Sequence, residues 1–65
     1  MPAPLFFRAS KGGRRPIVAG LVVVDGLVTE AAPILRRYRG QRWHAVRRAL
    51  EAAGYALEEL EGADD

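Results

Sequence analysis

The dipeptide Asp25-Gly26, set between the runs Ile17–Val24 and Leu27–Ala31, constrains this chain more than any other feature. A two-residue type I′ turn needs positive φ at both central positions, and Asp-Gly is one of the few pairs that tolerates it. The residues before it are β-branched and apolar, which suits a pleated, buried surface. A hairpin follows, with Val24 opposite Leu27, Val23 opposite Val28, Val22 opposite Thr29 and Leu21 opposite Glu30. One face then carries Val18, Gly20, Val22, Val24, Leu27 and Thr29. The other carries Ile17, Ala19, Leu21, Val23, Val28 and Glu30. Both faces are largely apolar, whereas a sheet covered on one side alternates more cleanly. Either a second copy of the chain covers the spare face or the strand is central and the chain ends wrap over it, and a homodimer is the expectation.

Leu5–Ser10 reads as a further strand, with the adjacent Phe6 and Phe7 on opposite faces. Lys11–Pro16 is a turn, from its glycine pair and proline. Pro33 suits the first turn of a short helix, in which Ile34, Leu35 and Tyr38 share one side, and Gly40 is its stop. A second helix spans Gln41–Ala53, with an apolar stripe of Trp43, Val46, Leu50 and Ala53. His44, Arg47, Arg48 and Glu51 lie opposite the stripe, and Gly54 ends the helix. Tyr55–Leu60 mixes strand alternation with helix-forming residues. After a glycine stop and an aromatic, a closing edge strand is favoured over a helix extension. Residues 61–65 are expected to form a disordered acidic tail. The chain thus reads as a single α+β domain over residues 5–60, ordered β-β-β-α-α-β, with a mostly antiparallel four-stranded sheet and two helices on one face.

Sixty-five residues allow one small domain, and the absence of cysteine removes disulfides and thiolate metal sites as supports. The longest apolar run, Ile17–Val24, is far short of the ~20 residues of a membrane span. Met1-Pro2-Ala3-Pro4 lacks the basic-then-apolar pattern of a signal peptide. A cytoplasmic location, without membrane contact, is expected. Net charge is only +2, yet it is segregated. Residues 1–48 hold all ten Lys and Arg with only Asp25 and Glu30 as acids, and residues 49–65 hold six acids and no base. GC-rich coding bias is a competing explanation of arginine over lysine, but not of this separation, which implies one basic surface and one acidic end.

The segments Val18-Ala19-Gly20, Ala31-Ala32-Pro33-Ile34-Leu35-Arg36, Gly40-Gln41 and Gly54-Tyr55 carry a resemblance covering roughly residues 5–60. The chain resembles a group of very small, uncharacterised proteins encoded by bacteriophages and prophages of GC-rich hosts. The resemblance rests on structural glycines, prolines and core positions, so it transfers no functional residues. It implies a phage accessory protein acting inside a bacterial host cell.

Six arginines, Arg36, Arg37, Arg39, Arg42, Arg47 and Arg48, fall within thirteen residues that contain no acid. The planar guanidinium donates bidentately to phosphate oxygens, so the cluster is a candidate nucleic-acid surface. Lys11, Arg14 and Arg15 would extend it from a loop. The competing explanation is a solvated helix face. A helix-turn-helix is disfavoured by the short first helix and by the strands before it. Phe6, Phe7, Tyr38, Trp43 and Tyr55 are expected in packing more than in base stacking. His44 is expected on the surface, and no cofactor or metal is expected. The chain has one serine, Ser10, and one threonine, Thr29, and no assembled acid pair or phosphate loop, so no catalytic residues are assigned. The rival to nucleic-acid binding is a module that docks on a host protein through the apolar sheet face or an edge strand, Leu5–Ser10 or Tyr55–Leu60.

Overall fold

The computed structural model describes residues 3–60. Four strands, β1 (Leu5–Lys11), β2 (Ile17–Val24), β3 (Leu27–Ala31) and β4 (Ala56–Leu60), form one sheet in the order β3-β2-β1-β4. All three pairings are antiparallel. A 3-10 helix (Pro33–Tyr38) and an α-helix, α1 (Trp43–Ala52), lie between β3 and β4 in sequence. The α+β class and the order of elements match the sequence reading.

Asp25 and Gly26 take φ values of 54° and 78°, the positive values that the two-residue turn requires. Val24 pairs with Leu27 and Val23 with Val28, as expected. Beyond them the register differs. A bulge between Val22 and Val23 leaves Thr29 without a cross-strand partner, so Val22 pairs with Glu30 and Leu21 with Ala31. The regular register would have put Glu30 beside Leu21, among the buried side chains. An unpaired buried carboxylate costs several kcal/mol, against about 1 kcal/mol for a disturbed ladder bond. The bulge therefore turns Glu30 out and Ala31 in. The Thr29 hydroxyl donates to the Val22 carbonyl at 3.3 Å.

The core consists of Ala9, Ala19, Leu21, Val23 and Val28 from one sheet face, with Leu35, Val46 and Leu50 from the helices. Phe7 and Trp43 stack at its flank, with ring centroids 4.3 Å apart. Phe6 lies on the opposite face, as its neighbouring position demands.

Three further expectations are corrected. Ile34 is 55 % exposed, because the first helix is 3-10 rather than α. With three residues per turn, Leu35 and Tyr38 fall on one ridge and Ile34 on another. Ala53 is exposed just beyond α1, which ends at Ala52, so the apolar stripe closes at Leu50. Finally, β1 is internal between β2 and β4, so only β4 of the two proposed edge strands is an edge. Residues 61–65, the expected tail, lie outside the described residues.

Candidate nucleic-acid interface

The arginines of the cluster are positioned by the chain's return from β3 to α1. Gly40 donates its N–H to the Val28 carbonyl at 2.7 Å, and Val28 donates to the Gln41 carbonyl at 2.9 Å. Leu27 and Arg42 form an isolated antiparallel bridge. This segment lies along the outer edge of β3. The eclipsed i, i+3 geometry of a 3-10 turn puts Arg36 and Arg39 on one outward ridge. Arg37 folds over Tyr38, with its guanidinium carbon 5.1 Å from the ring centroid. Its carbonyl accepts from the Gln41 amide at 3.0 Å. Arg39 also lines a shallow cavity of about 420 Å³ with Leu27, Val28, Thr29 and Gly40.

Arg42 is the N-cap residue of α1 and makes no side-chain capping bond, and no acid stands in the first turn. Trp43 donates its N–H to the Gly26 carbonyl at 2.8 Å, tying the helix start to the β2–β3 turn. The positive end of the helix dipole is therefore bordered by arginine rather than by the usual Asp, Ser or Thr. His44 and Arg48 are exposed, one turn apart on the helix side away from Val46 and Leu50.

The other bases lie elsewhere. Arg47 pairs with Glu51 at 3.4 Å and leans toward β4. Lys11 is the last β1 residue paired with β2, at the end of the sheet opposite the Asp25-Gly26 turn. Its ammonium lies 5.6 Å from the Tyr55 ring centroid. Arg14 and Arg15 follow in the exposed loop at that same end, so these three bases form a patch apart from Arg39 and Arg42. Arg8 pairs with Glu58 across β1 and β4.

Only two ion pairs occur among the described residues, Arg8–Glu58 and Arg47–Glu51. Arg36, Arg37, Arg39, Arg42 and Arg48 therefore have no carboxylate partner there. The acids Glu58 and Glu59 are on β4, at the other edge of the sheet. Ser10 and His44 do not meet, since Ser10 belongs to the sheet face away from the helices and His44 to the outer side of α1. What the sequence reading missed is the uncapped start of α1. With the helix expected from Gln41, Arg42 fell inside it, whereas α1 begins at Trp43; only the lack of an acid in Trp43-His44-Ala45 was legible. No helix among the described residues is long and apolar enough to cross a membrane. Comparison with protein-family models, curated proteins and solved structures finds no match.

Proposed function

We propose that the chain is a nucleic-acid-binding accessory protein of the phage type it resembles, working without catalysis through Arg36, Arg37, Arg39, Arg42 and Arg48. The observation that carries this reading is that these five arginines are exposed and have no carboxylate partner among the described residues, and that one of them, Arg42, stands at the uncapped start of α1. Exposed, unpaired guanidinium groups suit phosphate oxygens. Nothing in the arrangement selects a base sequence, so contact is with the backbone.

The test is a fluorescence anisotropy titration of generic duplex DNA and RNA at rising salt. Five phosphate contacts predict a slope of log K against log salt of about −4 to −5 on duplex DNA. Arg39→Ala and Arg42→Ala should each weaken binding and reduce the slope by about 0.9. Absence of binding at ~50 mM salt, where phosphate contacts are strongest, sinks the reading.

A second reading has its own support. The sheet face away from the helices exposes Phe6, Val18, Leu27 and Leu60, with Val18 69 % and Leu27 42 % accessible. Such a face suits docking on a host protein. Pull-down from a nuclease-treated lysate separates the two, because only a protein partner survives digestion.

A further inference from the structure

We propose that the outer edge of β4, with the cavity behind it, is a docking groove for an extended segment of another protein carrying two consecutive basic residues. The bound segment would add to the sheet as a fifth strand.

The two edges of the sheet are treated differently. The edge of β3 is covered by Gly40–Trp43 through the bonds to Val28 and the Leu27–Arg42 bridge. Nothing among the described residues pairs with the outer side of β4. An open edge with unpaired N–H and C=O groups is a template for another strand. The charges on β4 select which strand. Antiparallel self-pairing centred on Glu58 sets that carboxylate opposite its own copy, with Glu59 alongside, and like charges in register are destabilising. A basic strand meets the opposite situation.

The cavity behind the edge has a volume of about 220 Å³ and is lined by Phe7, Trp43, Arg47, Glu51, Leu57 and Glu59. The stacked rings of Phe7 and Trp43 give it an aromatic wall. Glu59 is the cross-strand partner of Phe7, so both belong to the helix-covered face. Arg47 occupies Glu51, which leaves Glu59 as the rim carboxylate with no ion-pair partner among the described residues. A Lys or Arg opposite Glu59 on an added strand would point to this same face. It would meet the Glu59 carboxylate beside the aromatic wall of the cavity, where Arg47 is held on Glu51. The next residue of the added strand projects to the other face, opposite Glu58, whose carboxylate already pairs with Arg8 and keeps acceptor capacity for a second base. Two successive bases are thus read by two successive acids, while the backbone ladder supplies length and direction. This groove lies at the sheet edge opposite Arg39 and Arg42, so it does not depend on nucleic-acid binding.

The experiment uses the full chain and synthetic peptides of ~10 residues, alternating valine and threonine around a central Lys-Arg pair. Amide hydrogen exchange within Ala56–Leu60 should slow on binding, and a peptide with proline beside the basic pair should not produce this, since proline cannot complete the ladder. Replacing the basic pair with two glutamates should abolish binding. Glu59→Gln should weaken binding by about two- to fivefold, the scale of a partly exposed ion pair, and leave the DNA titration unchanged. Unchanged exchange across β4 at ~1 mM peptide overturns the proposal. So does equal binding of the proline peptide, or protection at Val18 and Val22 on the open face instead.

Discussion

Arg42 has the backbone of an N-cap residue, φ −67° and ψ 133°, but no side-chain bond to the first turn of α1. Its position at the positive end of the helix dipole is unfavourable for a cation. Serine there would accept from a free N–H and stabilise the helix by about 1 kcal/mol. The residue best placed to meet a phosphate is therefore one that weakens the fold. Arg42→Ser should raise the midpoint of thermal unfolding by about 4–8 °C, the shift of a domain this size for 1 kcal/mol. The same variant should bind DNA more weakly and with a shallower salt slope. A gain in stability with unchanged DNA affinity would mean that Arg42 is an unremarkable surface residue. Trp43 shows the opposite balance, since its ring lies against Phe7 and its N–H anchors the β2–β3 turn.

At the scale of elements, β3 shows where side-chain alternation stops being sufficient. Val28 faces the core and Ala31 packs against it, three positions apart, because Thr29 is inserted by the bulge. Regular alternation would pair Val28 with Glu30, so the correction required weighing a buried carboxylate against a lost ladder bond. Glu30→Ala should change stability by no more than ~0.5 kcal/mol, as for an exposed side chain. Ala31→Glu should cost about 2–4 kcal/mol by forcing a charge into the core. Chemical denaturation of both variants checks this, and the reverse order would restore the regular register. The bounds of β2 and β3 were legible because a turn dipeptide marks their junction. Gly54 was equally legible as a helix stop. With φ at 98°, it lets Tyr55 donate to Leu50 and Gly54 to Glu51, a closure that favours glycine. The 3-10 character of Pro33–Tyr38 was hidden because helical periods of 3.0 and 3.6 hardly separate over six residues. The place of β1 inside the sheet was hidden too, because strand order depends on where β4 docks. The arginine block could be read as a block, and the four-residue spacing of Arg47 and Glu51 made their pairing legible too, but the separate place of Lys11, Arg14 and Arg15 was not. Arg47 leaves the block because α1 turns that side chain toward Glu51 and β4.

At the scale of the whole molecule, one sheet face is covered by helices and the other is open among the described residues. The open face sets Phe6 beside Val22 and Leu60, with Val18, Val24 and Leu27 around them and the Arg8–Glu58 pair in the middle. Arg8 is the cross-strand neighbour of Gly20, which has open space where a Cβ would stand. A two-fold axis running along the strands between β1 and β2 would seat Arg8 of each copy over Gly20 of the other, the self-complementarity that an isologous contact requires. Four strands at ~4.8 Å spacing, each roughly 20 Å long, give about 400 Å² of plan area per copy. With side-chain relief a pair would bury about 1,000 Å² in total, the lower limit for a specific interface. Association should therefore be weak and reversible, and visible as linkage between concentration and stability. Between ~5 µM and ~500 µM the unfolding midpoint should rise by about 5 °C or more. Val18→Lys with Leu60→Lys should remove the rise without lowering the midpoint of the dilute protein, because both side chains are exposed in the single chain. A midpoint that stays flat, with a monomer in sedimentation at the higher concentration, excludes the second copy and leaves the face to a different protein.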